Sequence, residues 1–172
     1  MVTELIASEE RIVLKMAFEK VKDYFESVGL GERVIVRERI GDTVENAAEA
    51  VGCIPAQIAK TMSFMQNGEP VLIVTAGDAK INNTKYKARF QQKAVMIPFD
   101  QVEAHIGHEP GAICPYALSE HVRVYLDVSL KRFEEVHSSG GSLNSTVTLS
   151  PAELETHTSS EGWIDVCKGW NE

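Results

Sequence analysis

The sequence predicts an α+β fold: a mixed, curved, barrel-like β-sheet flanked by helices. Three observations carry this reading. Apolar runs with strand character outnumber helical stretches. Hairpin turns alternate with helical segments long enough to serve as crossovers. No internal repeat, low-complexity linker or change in composition divides the 172 residues. Residues 1–172 are therefore expected to form one domain, with a helix over 8–28 and a core over about 34–170.

The elements follow in order. From Ser8 to Val28, the residues Val13, Leu14, Ala17, Phe18, Val21, Tyr24, Phe25 and Val28 repeat at helical spacing, opposite Lys15, Glu19, Lys22, Asp23 and Glu26. Gly29 ends that helix. "RVIVRER" reads as a strand. Thr43 can cap a short helix through Val51, stopped by Gly52. Pro55 opens "PAQIAK", a helical turn. "TMSFMQNGEPVLIVTAG" reads as a hairpin turning at Asn67-Gly68. "NNTKYKARF" reads as a helix with asparagine caps, and "AVMI" as a short strand. Pro98 suits the first turn of a helix ending at Ile106 and Gly107.

The next stretch, "HEPGAICPYA", cannot be helical, because two prolines bracket a glycine. "HVRVYLD" alternates as a strand with Val122, Val124 and Leu126 inward. "FEEVHSS" and "STVTL" read as strands around Gly140-Gly141. Ser150-Pro151-Ala152-Glu153 is a capping box, and "WIDVCK" a final strand.

Composition narrows the class. No apolar run reaches membrane-spanning length, the acidic start lacks a basic leader segment, and three scattered cysteines suit a reducing compartment. We therefore expect a cytoplasmic protein with no membrane and no DNA partner. The net charge of -8 argues against a polyanion in general. Yet no acid falls between Asp78 and Asp100, where Lys80, Lys85, Lys87, Arg89 and Lys93 lie. One basic face on an acidic body can steer a polyanion; a solvated helix face is the plain alternative.

Candidate chemistry is sparse. His105, His108 and Cys114 could approach a metal, but no ligand motif supports them and Gly107 separates the histidines, so no metal or other cofactor is expected. Cys114 could be a nucleophile if a base lay within reach; a small apolar filler is the simpler reading. Lys60, between Ile58 and Met62, sits where a helical turn hands over to a strand. It can project from a sheet rim into a cleft or simply reach solvent.

The set of motifs adds to this. "GCIPAQIAKTMSF", "VTAGDAKINNTKYKA", "GAICPYAL", "YLDVSLKRFEEVHSSGG" and "TLSPAEL" together resemble the YbaK-like family, or prolyl-tRNA synthetase-associated editing domain, over roughly Gly52 to Leu154. The resemblance implies a free-standing hydrolase that cleaves the ester between a wrong amino acid and the 3′ end of a transfer RNA. A noncatalytic tRNA- or synthetase-binding module of the same fold is the alternative, and an esterase using Cys114 a third reading. The implied partner is the acceptor end of aminoacyl-tRNA, with a synthetase also compatible.

In similar proteins the lysine matching Lys60 is required, and Thr61 matches its neighbour. Gly111 and Pro115 match the ends of a Gly-x-x-x-Pro loop. Gly111 would let the main chain approach the ester, with Ala112, Ile113 and Cys114 as spacers or pocket wall. Ser139, Gly140 and Gly141 match a turn beside the pocket. Some relatives carry aspartate or histidine near Asn144 or Thr146, so specificity stays open there. Lys80, Lys85, Lys87 and Arg89 are candidates for tRNA contact, with Tyr86 beside them. A synthetase pocket gains only about 1–3 kcal/mol from one methylene. A second pocket that admits only small residues, such as Ala, Ser, Thr or Cys, completes the sieve.

Overall fold

The computed structural model describes residues 2–38 and 40–171; of the side chains in 2–15, it describes that of Leu5 alone. Helix α1 (Val2–Ser27) begins six residues before the expected start. Ala17, Val21 and Phe25 are buried on its inner face. Val13, Leu14 and Lys15 lie outside the described side chains. The Gly29 N–H donates to Glu26 O (3.2 Å) and the Leu30 N–H to Phe25 O (2.8 Å), with Gly29 at φ +77°. This closes the helix. Val28, expected on the apolar face, lies beyond the last turn and is 42% exposed.

β1 (Val34–Val36) is shorter than "RVIVRER", whose residue 39 lies outside the described residues. The Thr43 hydroxyl accepts the Asn46 N–H and starts α2 (Val44–Val51), which Gly52 ends at φ +84°. A single 3₁₀ turn, Pro55–Gln57, delivers the chain to β2 (Ala59–Gln66). β2 pairs antiparallel with β3 (Glu69–Ala76) across Asn67 and Gly68, whose positive φ values of 51° and 79° make the expected two-residue turn. β4 (Lys80–Ile81) was not foreseen. In α3 (Asn83–Phe90) the Asn82 side chain accepts the N–H groups of Thr84 and Lys85.

"AVMI" forms only a one-residue bridge between Met96 and Phe64. The helix expected from Pro98 opens as a 3₁₀ turn, Phe99–Gln101, and becomes α4 at Val102–Ile106. Then come β5 (Arg123–Asp127), β6 (Val136–Ser139), β7 (Ser145–Leu149) and α5 (Pro151–His157), which carries the capping box. "WIDVCK" splits into β8 (Trp163–Ile164) and β9 (Cys167–Lys168). The break has a cause: the Val166 N–H donates to the buried Asp127 carboxylate at 3.0 Å.

β2-β3-β5-β8 is a mixed sheet, antiparallel at its first pair and parallel at the other two. β3 lies inside it, and Val71, Leu72, Ile73 and Val74 are all fully buried. A strand covered on both faces reads as a continuous apolar run, as "VLIV" does. β1-β7-β6 is a second, antiparallel sheet, and β4-β9 a small third. The α+β, mixed-sheet expectation matches; its barrel-like feature does not. The sheets stay open because the chain just ahead of β2 meets β6 through one bridge, Ile58 to His137, rather than a ladder.

Candidate active site

The single bridge leaves a seam between the two larger sheets, and a cavity of about 100 Å³ opens along it. One wall is Ile58–Lys60 at the start of β2. Facing it are Gly111 and Ile113. The floor comes from His137, Ser138 and Ser139 of β6 and from Ser145 and Thr146 of β7. Asp42 and Thr43, ahead of α2, form the rim.

Lys60 pairs with Thr75 across the β2–β3 ladder. Lys60 is half-buried, and its side chain makes no hydrogen bond or ion pair to a described residue. Burial lowers its pKa, opposed by the nearby Cys167 and Asp78. Thr61 follows in the strand and so points to the opposite face, away from the cavity lining. Its hydroxyl is buried with no partner among the described residues.

Gly111 takes φ +88°, a conformation that L side chains rarely adopt. A Cβ there would stand 3.0 Å from Asp42 Cβ and 3.4 Å from a Leu143 methyl. The loop thus lies directly against the rim. The backbone N–H groups of Gly111 and Ile113 have no partner among the described residues, whereas that of Ala112 donates to Glu109 O. Ala112, Cys114 and Pro115 are buried behind the wall and do not line the cavity.

Cys114 Sγ lies 3.5 Å from His108 Nε2. The pair has nucleophile–base composition, but both side chains are buried and desolvation pushes the thiol up to about 12. Among the described residues, no group of three or more His, Cys, Asp or Glu side chains could hold a metal ion.

The turn after β6 is fastened to the loop. The Ser139 hydroxyl donates to Ala112 O at 3.2 Å and accepts the Gly141 N–H at 3.1 Å. Gly140 is needed for proximity: a Cβ there would meet Ser145 Oγ at 2.6 Å. Thr146 Oγ1 accepts the Arg37 Nε–H at 3.1 Å, and Arg37 also donates to Ala50 O at 3.0 Å. Tyr116, fully buried, shares a 2.7 Å hydrogen bond with the cavity-lining Ser138.

Sequence reasoning missed His137 and Asp42. His137 Nδ1 is 2.8 Å from Thr148 Oγ1, and burial lowers its pKa, with the Glu135 charge opposing. The signal was period two: His137 shares a face of β6 with Ser139. Asp42 gave none, since only folding brings it against Gly111.

The basic residues divide. Lys85 Nζ is tied to Asp165 (2.9 Å) and Cys167 O (3.1 Å). Arg89 lies over the rings of Phe90 and Tyr125. Lys80 and Lys87 are exposed, and neither belongs to the cavity lining.

The segment that builds this cavity has known relatives. The sequence matches the aminoacyl-tRNA editing domain over residues 39–156, and the chain belongs to that family. It is 44% identical over 156 residues to the uncharacterized Bacillus subtilis protein YwhH, covering 90% of this chain and 99% of that one. It is 29% identical over 119 residues to the proline–tRNA ligase of Bacillus licheniformis, covering 69% of this chain but 21% of the ligase. Two solved structures share the fold. One is the hypothetical protein APE2540 (TM-score 0.78, 26% identity, 87% of this chain and 99% of that one). The other is provisionally described as a trans-editing enzyme for prolyl tRNA synthetase (TM-score 0.79, 23% identity, 89% and 98%). Among the described residues no helix is long and apolar enough to cross a membrane.

Proposed function

We propose that this chain is a trans-acting hydrolase that deacylates transfer RNA mischarged with a small amino acid: Ala, Ser, Thr or Cys. The observation that carries the reading is Lys60, a half-buried cation with no partner among the described residues, in a cavity of only about 100 Å³. Drug-sized pockets run to about 300–1,000 Å³, so the volume suits a small aminoacyl group.

The chemistry asks little of the protein. An aminoacyl ester is already activated, and the terminal ribose offers a neighbouring hydroxyl, so positioning supplies much of the rate. In this reading water attacks the ester carbonyl, the C–O bond to the ribose breaks, a proton from the water passes to the ribose oxygen, and the amino acid leaves with the water oxygen. Lys60 and the free N–H groups of Gly111 and Ile113 stabilise the oxyanion that develops. Asp42, the carboxylate on the rim, pairs with the α-ammonium of the aminoacyl group. Similarity to the matched segment of proline–tRNA ligases supports a tRNA substrate and keeps a synthetase open as partner.

The test is single-turnover deacylation of transfer RNAs charged with Ala, Ser, Thr and Cys, with Lys60→Ala as control. Lys60-dependent hydrolysis of at least one supports the reading. Tight binding with no hydrolysis of any would instead identify a noncatalytic binding module.

A further inference from the structure

The edge of β2 that leads away from Lys60 carries a second, separate surface. Residues 94–97 run antiparallel along that edge. The Met65 N–H donates to Val95 O at 2.9 Å, the Ile97 N–H donates to Ser63 O at 3.1 Å, and Met96 bridges Phe64. Ser63 is three residues, or roughly 10 Å of strand, beyond Lys60. Because the segment is antiparallel, its far end, Pro98–Phe99, heads back toward the lysine.

This segment is anchored by the buried Ile97, yet it exposes three large apolar side chains: Val95 (56%), Met96 (56%) and Phe99 (78%). Just before it in the chain lies a groove of about 670 Å³ lined by Asn83, Thr84, Lys87, Ala88, Lys93 and Ala94. Lys87 and Lys93 have no ion-pair partner among the described residues, unlike Lys85. The acids flanking this region in sequence are Asp78, which Arg132 holds with two hydrogen bonds (2.6 and 3.0 Å), and the exposed Asp100. On a body of net charge -8, unpaired lysines that open a strip ending in an exposed aromatic ring fit a ligand with both phosphates and planar faces.

We propose that the Lys87–Lys93 groove and the Val95–Phe99 strip form the docking platform for the single-stranded 3′ end of the RNA. The lysines meet backbone phosphates and Phe99 stacks on a base. This rests on the tRNA-hydrolase reading for the identity of the strand. It goes further in naming where the strand lies, and it moves the weight from Lys85 and Arg89, which are engaged within the protein, to Lys87, Lys93 and Phe99.

The test measures binding without hydrolysis. The probes are an uncharged RNA minihelix with a single-stranded 3′ overhang and the same minihelix made blunt, both read by fluorescence anisotropy across a salt series. Phe99→Ala is expected to weaken overhang binding about tenfold, with Phe99→Tyr restoring it. It should leave the weaker blunt-end binding unchanged. Lys87→Ala and Lys93→Ala should each reduce the slope of log affinity against log salt by about 1. Because Phe99 is exposed, loss of folding will not mimic the effect. Equal overhang affinity in wild type and Phe99→Ala, or equal losses on both probes, overturns the platform. The hydrolase reading stands or falls separately, on the deacylation panel. Phe99-dependent binding by a wild type that cleaves no ester would keep the platform and remove the enzyme.

Discussion

The ammonium group of Lys60 sits where desolvation works against its charge and where no described residue pairs with it. Such an arrangement costs the folded protein something and gives a bound anion much. Lys60→Ala is therefore expected to lower single-turnover deacylation by about 10²–10³ while leaving the circular dichroism spectrum unchanged. The charge also sets a pH dependence. The Lys60 pKa lies below its ordinary value of 10.5, so the Lys60-dependent part of the rate should fall as pH rises through that lowered value. Spontaneous ester hydrolysis is subtracted using Lys60→Ala.

Gly111→Val places a β-branched residue at φ +88°, with its Cβ against Asp42. Turnover should drop, and a wild-type rate would mean that the loop does not touch the ester. Cys114→Ala should keep turnover, since the thiol is buried outside the cavity. The resemblance singled out Lys60 and Gly111, and the fold brings both to one cavity. The burial of Cys114 and the approach of Asp42 were not legible in the sequence, because both depend on contacts distant in sequence.

At the scale of elements, α1 backs the site without lining it. A Cβ on Gly141 would stand 3.2 Å from a Val21 methyl and 3.3 Å from Ala17 O. Phe25 packs edge-on against Tyr116 at 4.9 Å, and Tyr116 holds Ser138. Phe25→Ala should cost about 3–5 kcal/mol in urea unfolding. Under conditions where the variant stays folded, its deacylation rate should also fall, because the Tyr116–Ser138 contact loses its backing. An unchanged rate would limit α1 to stability. The apolar stripe of α1 was plain from its period, as was the β2–β3 hairpin from Asn-Gly. What the helix packs against was not, since a stripe names a buried face and not its partner. "AVMI" failed as a full strand because it makes two backbone hydrogen bonds to β2 and then, at Pro98, gives way to the 3₁₀ turn.

Over the whole molecule, acid should loosen the fold in a particular way. His108 and His137 both have pKa values lowered from 6.5, chiefly by burial. The unfolded chain therefore binds protons that the folded chain resists. The stability these groups contribute is full above 6.5 and is lost as pH falls through the lowered values. Urea midpoints at about pH 7.5 and about pH 5 should differ, and by less in His108→Asn.

The placement of α1 has one more consequence. Every residue that lines the cavity falls between Ile40 and Thr146, inside the segment that matches the family at 39–156. Val21 and Phe25, which brace the cavity from behind, fall outside it. The shared segment thus holds the whole cavity lining but not the buttress. In this chain the buttress is a helix joined to the same polypeptide. A fragment cut to residues 39–156 would keep the whole lining and lose the contacts that Val21 and Phe25 make with Gly141 and Tyr116.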